Sequence, residues 1–138
     1  QKTSQVRDTS SRNTLERVLL ERLKNSKNMV LILTEKTRYD REMLNYEIEK
    51  AIKMNLPIIV CYPKVRQPIF NPKYYSDYWP LALAEGIRKE EVQCIHIPFK
   101  KKPVLDAIPR FHIHSNEKLE SLGFYNKDAY DFFNITWE

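Results

Sequence analysis

The chain has 138 residues, enough for one hydrophobic core but not for two. It is 42% hydrophobic and 30% charged with only two glycines, which excludes collagen-like and intrinsically disordered proteins. No run of about 18 apolar residues occurs, so we expect neither a membrane-spanning helix nor a membrane partner. The net charge of +5 is moderate for this length.

The two cysteines indicate a reducing compartment. Cys61 and Cys94 lie inside apolar runs rather than in a Cys-x-x-Cys pattern, so we expect buried, inert thiols. No apolar leader opens the sequence as given. Together these features predict a cytoplasmic location.

Neither the basic nor the histidine-rich stretch carries a binding motif of its own. The lysines at 100–102 lack interleaved aromatic residues, so we expect a solvated loop and no nucleic-acid partner. His112 and His114 have the spacing to face one side of a strand, but no third ligand is near in sequence. We therefore predict no metal site.

The N-terminal part of the chain predicts an arm followed by a helix. Residues 1–11 are polar and aperiodic, so we expect a loop or a flexible arm. Asn13 followed by Glu16 has the spacing of a capping box, which would start a helix there and carry it to about Asn25. Apolar residues at helical spacing mark one face of this helix, namely Leu15, Val18, Leu19 and Leu23.

Three short apolar runs, 29–34, 57–62 and 93–99, predict strands. Their length and polar flanks indicate strands buried on both faces, as in a parallel sheet. Between the first two, Asp40 can cap a helix over 41–55. A strand, a helix and a second strand joined by short connections indicate a parallel crossover.

The segment 63–80 predicts an irregular loop because its prolines exclude a long helix. Its aromatic residues either form a binding or oligomer contact or pack over the sheet edge. A short helix is expected over 77–86, at most a short one over 104–108, and a C-terminal helix over 126–133.

These elements predict one α/β domain over residues 1–138 with a parallel sheet. Three parallel strands alone make a small sheet. Because a helix leads into the first of them, we expect a further strand before that helix, as in a repeated strand–helix unit. We therefore expect one or two N-terminal strands to be missing from this chain or supplied elsewhere.

Glu47 departs from the pattern of its helix, because it falls inside the apolar half of the helical wheel. A carboxylate there needs a partner, a solvent-filled cleft or a function, since burying it unpaired costs several kcal/mol. Either its head reaches water at the rim, or it lines a cleft at the strand ends and stabilises an oxocarbenium-like ribose. The apolar half is formed by Met43, Leu44, Ile48, Ala51, Ile52 and Met54.

The stretch from Thr14 to Val60 resembles the TIR-like domain family of the Thoeris antiphage system. The resemblance rests on a hydrophobic strand ending in Thr, a polar loop, a Tyr-Glu-Ile helix and a second apolar strand. These segments are LERVLLERLKNSK, NMVLILTEKT, REMLNYEIEKAI and NLPIIVCYP.

The resemblance implies a flavodoxin-like, TIR-type three-layer α/β fold. Many TIR-like domains cleave NAD at the nicotinamide–ribose bond, and Thoeris TIR proteins make a cyclic ADP-ribose-type signal that activates an NAD-degrading effector. The family's catalytic glutamate lies in a Trp-x-x-x-Glu pattern, which Glu47 matches, with Met43 in place of the Trp. Thr34 and Thr37 are candidate polar contacts to the nucleotide, or else ordinary loop and capping hydroxyls.

The resemblance therefore predicts an NAD-consuming enzyme with no cofactor, in which Glu47 stabilises the ribosyl cation. The family also implies an active form assembled from more than one protomer. A second hypothesis is a non-catalytic module that self-associates or binds an effector protein or a phage component. A third is a flavodoxin-like binder of flavin or another nucleotide, although the chain contains no glycine-rich phosphate loop.

Overall fold

The computed structural model describes residues 4–37 and 42–137, and the side chains of the first helix from residue 13 onward. Helices and strands alternate along the described chain, as an α/β fold requires. The elements are α1 (Ser4–Lys24), β1 (Met29–Ile32), α2 (Glu42–Lys53), β2 (Ile58–Tyr62), a 3-10 helix (Pro72–Tyr78), α3 (Leu81–Arg88), β3 (Cys94–Pro98), α4 (Lys101–Arg110) and α5 (Lys127–Phe133).

The three strands form one parallel sheet in the order β1-β2-β3. In its register Leu31 of β1 pairs with Val60 of β2, and Val60 pairs with His96 of β3. This confirms the predicted α/β fold with a parallel sheet, of flavodoxin-like type. The predicted strands upstream of β1 stay a prediction.

The sheet lies between two layers of helices, because each of its faces contributes to a different core. On one face Val60 and Cys94 pack with α2 and α3, and Leu23 brings α1 into the same cluster. On the other face Ile59 and Ile97 pack with residues of α4 and α5. The two clusters give the three-layer arrangement of helix, sheet and helix.

Strand β1 corrects the expectation that all three strands are buried on both faces. Val30 and Ile32 are 41% and 44% exposed, whereas the alternate residues Met29 and Leu31 are buried. Val30 pairs with Ile59, so its side chain lies on the sheet face that α4 and α5 cover at β2 and β3. An apolar run shows that a strand has two apolar faces, but not that a helix lies over each of them.

The first helix is longer than predicted. It begins at Ser4, so the flexible arm expected over residues 1–11 was wrong from residue 4 onward, and Asn13 lies inside the helix rather than at its cap. The segment 4–24 contains neither Gly nor Pro, and its polar residues cost a few tenths of a kcal/mol each in a helix. The cap predicted at Asp40 lies outside the described residues.

The C-terminal helices also differ in their bounds. Helix α3 starts at Leu81, after Pro80, rather than near 77. Helix α4 runs through 101–110 instead of 104–108, because Pro103 lies in the first turn, where its missing N–H has no helical acceptor. Asn126 caps α5, its side-chain oxygen accepting from the backbone N–H of Ala129 at 2.9 Å.

The segment 63–80 is partly packed and partly exposed. Tyr75 and Tyr78 of the 3-10 helix lie against the Tyr62 ring, with centroids 5.5 and 6.0 Å apart, while Phe70 and Tyr74 are exposed. The predicted irregular loop therefore contains a 3-10 helix that covers the end of β2.

The outer edge of β3 is closed by the segment 120–123. The backbone N–H of Cys94 donates to the Glu120 carbonyl at 3.0 Å, and that of His96 donates to the Gly123 carbonyl at 2.9 Å. At Gly123 an added Cβ would lie 2.5 Å from the Cys94 carbonyl oxygen. A glycine is needed here because two backbones approach each other closely.

We expect Gly123→Ala to lower the free energy of unfolding by about 1–3 kcal/mol, because the new methyl group meets backbone that cannot move aside. Gly86→Ala is the matched control. Its Cβ meets the mobile end of Ile52 at 2.8 Å, and alanine favours a helix. Urea unfolding of the three proteins measures both effects, and equal stability of Gly123→Ala and the wild type would contradict the close approach.

Candidate active site

Glu47 lies in the second turn of α2, on the helix that follows β1. Ile48, its neighbour in sequence, and Ala51, one turn later, are fully buried. The side chain of Glu47 itself is 23% exposed. Its stem therefore lies beside apolar residues while its carboxylate reaches solvent, so the residue is half-buried at the rim of the α1–α2 interface.

The carboxylate of Glu47 faces a cation on the neighbouring helix. Arg22 Nη2 lies 3.6 Å from Glu47 Oε2 and belongs to the last turn of α1. This distance is that of a charge contact rather than of a hydrogen bond. Within the described part of the chain, the Glu47 oxygens therefore keep acceptor positions open to water or to a ligand hydroxyl.

Met43 precedes Glu47 by one helical turn, so the two side chains lie on the same face of α2. Met43 is half-buried. A flexible thioether thus occupies the position at which an aromatic ring would give a flat wall.

Thr34 and Thr37 lie at the carboxyl end of β1, and the structure brings them together. The Thr37 hydroxyl oxygen accepts from the Thr34 backbone N–H at 3.0 Å, and the two hydroxyls lie 3.3 Å apart. The Thr37 N–H donates to the Thr34 carbonyl at 3.0 Å, which closes a turn. These bonds are local, so the hydroxyls act at least as turn-forming groups, and their contact with a nucleotide stays a prediction.

Among the described residues, no hydrogen bond or ion pair connects Thr34 or Thr37 to Glu47. The hydrogen bonds of the turn stay within residues 32–37, and the ion pair of Glu47 runs to α1 instead. Arg22 was missed by the sequence reasoning, because it becomes a neighbour of Glu47 only through the packing of α1 on α2.

A chain of hydrogen bonds crosses the core near the ends of β2 and β3. Trp79 Nε1–H donates to the Tyr62 hydroxyl at 2.9 Å, and that hydroxyl lies 2.7 Å from His96 Nδ1. His96 Nε2 lies 2.9 Å from the carbonyl of Ser121, which can only accept. His96 therefore carries its proton on Nε2 and accepts a hydrogen bond from the Tyr62 hydroxyl at Nδ1.

Burial lowers the pKa of His96 to about 4, from an ordinary value near 6.5. Between these two pH values the unfolded chain binds a proton at this residue and the folded chain does not. Protonation therefore favours the unfolded state progressively as the pH falls through this window.

We expect the free energy of unfolding to fall by about 3 kcal/mol between pH 6.5 and pH 4 because of His96. His96→Gln should remove this part of the pH dependence, and His112→Gln should retain it because His112 lies outside the core. Urea unfolding at stepped pH measures the slope. A wild-type free energy of unfolding that stays constant over this window would contradict the neutral, buried histidine.

The histidine pair and the two cysteines have contacts that fit a structural role. The His114 backbone N–H donates to His112 Nδ1 at 3.1 Å, and residues 4–37 and 42–137 contain no group of three side chains placed to hold a metal. Cys61 and Cys94 are buried and free, and burial raises the pKa of the Cys61 thiol to about 12. No described helix is long and apolar enough to cross a membrane.

A parallel sheet between two helix layers is the architecture of a flavodoxin-like α/β domain, and here the helix after the first described strand carries a half-buried glutamate. Residues 1–68 match the family model described as Thoeris protein ThsB, TIR-like domain. This matched segment, which holds α1 to β2, is just under half of the chain, and it is similar to the TIR-like domains of the Thoeris antiphage system. Beyond the match, β3 and α3 to α5 complete the same sheet and its covering layers.

Proposed function

We propose that this protein cleaves NAD at the nicotinamide–ribose bond, with Glu47 as the catalytic carboxylate. The observation that carries the proposal is the state of Glu47, which is half-buried and, within the described part of the chain, keeps acceptor oxygens open. The Trp-x-x-x-Glu resemblance supports the same residue as the catalytic carboxylate. NAD is the substrate and no further cofactor is required. The proposal places the activity in the cytoplasm, where NAD is present.

The proposed reaction needs a negative charge near the ribose. When the bond between C1′ and the nicotinamide nitrogen breaks, the electron pair leaves with nicotinamide and the ribose becomes an oxocarbenium-like cation. A fixed carboxylate stabilises this charge, and it can accept hydrogen bonds from the ribose hydroxyls. Water then attacks C1′ and releases a proton to give ADP-ribose, or an internal nucleophile closes a cyclic ADP-ribose-type signal.

We expect Glu47→Gln to lower NAD turnover by about 100-fold or more, because the amide keeps the shape but lacks the charge. Nicotinamide release is measured for the protein before and after exposure to an infection trigger. Glu49→Gln is the matched control, since Glu49 is an exposed carboxylate on the same helix.

The folded state of the variant is checked by thermal unfolding. Little stability should be lost, because ion pairs with an exposed partner contribute about 0–1 kcal/mol. Turnover by a folded Glu47→Gln protein at the wild-type rate would overturn the catalytic role. Absence of turnover by the wild type under every condition would favour the second function.

The second candidate function is a non-catalytic TIR-like module that acts by self-association or by binding an effector or a phage component. Two observations favour it: Met43 stands in place of the family's Trp, and aromatic side chains lie exposed beside each other. Phe70 and Phe124 have ring centroids 6.3 Å apart, and Phe132, which is 84% exposed, lines the same cleft as Phe124. We call these three residues the aromatic surface.

If the second function holds, the wild type should form dimers or larger species, and the double variant Phe124→Ser, Phe132→Ser should be monomeric. Exposed aromatic rings supply much of the free energy of protein interfaces. Size-exclusion chromatography with light scattering measures the mass, with Phe99→Ser as a control for an exposed ring on another segment. An unchanged mass in the double variant would exclude the aromatic surface as the contact.

A further inference from the structure

Arg22 is the cation that the described part of the chain places against Glu47. We propose that Arg22 binds the pyrophosphate of the NAD substrate and is displaced from Glu47 when the substrate enters. This inference rests on the proposed function, because it assigns a second residue to the same site. It also names the part of the substrate that this residue recognises.

The ion pair leaves the guanidinium group largely available. Arg22 is 64% exposed, and the contact involves one of its nitrogens at 3.6 Å from Glu47 Oε2. A guanidinium group carries five N–H donors in a planar fork that matches two oxygens of a phosphate. Arg22 is therefore loosely held by Glu47 and equipped for a stronger partner.

The charges of the substrate require such a group. The pyrophosphate of NAD is negatively charged and lies a few bonds from the ribose carbon that loses nicotinamide. A carboxylate close enough to stabilise that carbon also repels the pyrophosphate. A cation beside Glu47 offsets this repulsion, and Arg22 can follow the phosphate because its long side chain is exposed.

Neighbouring cations have other surroundings. Lys50, one turn after Glu47, lies with its ammonium group 5.3 Å from the centroid of the Tyr46 ring. Lys24 shares the last turn of α1 with Arg22, and a cation in that turn stabilises the negative end of the helix. The favourable interaction with the negative helix end explains why this turn contains a cation. It does not explain why the Arg22 side chain lies against Glu47.

We expect Arg22→Gln to raise the KM for NAD by about 10-fold or more, with kcat changed less than about twofold. Arg22→Lys should recover part of the affinity, because the ammonium keeps the charge without the planar fork. Arg17→Gln is the matched control, an exposed arginine on the same helix and about 140° away around its axis. Steady-state nicotinamide release over a range of NAD concentrations gives both constants.

Nicotinamide riboside separates phosphate binding from a structural role, because it contains the same glycosidic bond and no phosphate. Arg22→Gln should not lower its cleavage, because nicotinamide riboside offers the guanidinium group no phosphate to bind. Equal losses with NAD and with nicotinamide riboside would overturn the proposal, as would an unchanged KM for NAD or an increased kcat. An increased kcat would identify Arg22 as a group that blocks Glu47.

Binding of ADP-ribose tests Arg22 independently of turnover. Calorimetry on Glu47→Gln, with and without Arg22→Gln, should show that loss of the arginine weakens ADP-ribose binding by about 10-fold. If the wild type turns over NAD but the two proteins bind ADP-ribose equally, the role of Arg22 fails and the proposed function stands. If nothing turns over NAD, weaker binding by the double variant still supports phosphate recognition, and equal or absent binding overturns it.

Discussion

Strand β2 is buried along its whole length, and this burial imposes the arrangement of everything around it. Water cannot reach its backbone groups, so a strand must pair with each of its edges, and β1 and β3 do so. Its side chains point alternately to both faces, so a helix layer must cover each face. Helices α2 and α3 meet this demand on one face, and α4 and α5 on the other. The position of α2, and with it that of Glu47, follows from the need to cover β2.

Helix α2 links the candidate site to the rest of the layer. Its Glu47 faces α1, while Asn45 accepts a hydrogen bond from the backbone N–H of Ala82 at 2.8 Å, in the first turn of α3. Pro80, which precedes α3, has no side-chain oxygen to cap that turn, so the neighbouring helix supplies the acceptor. A change in the packing of α2 would therefore be felt both at Glu47 and at the start of α3.

The sequence predicts the strands because a strand with two apolar faces appears as a continuous apolar run. It predicts Glu47 because a charge interrupts an apolar helix face. It does not predict the exposure of Val30, because an apolar run does not show whether a helix covers each face of the strand. It also misses Arg22 and the partners of His96. Those contacts join residues far apart in the chain, and only the packing of α1 on α2 and of the loops on β3 brings them together.

The side chains of the two buried cysteines lie on opposite faces of the sheet. Cys94 belongs to the core beneath α2 and α3, and Cys61 to the core beneath α4 and α5. Burial keeps both thiols protonated and shielded, so a thiol reagent reaches each of them only when its own layer opens. The labelling rate of each cysteine therefore reports how often the helix layer on its side of the sheet opens. Their relative labelling rates distinguish cooperative unfolding from the local loosening of one layer.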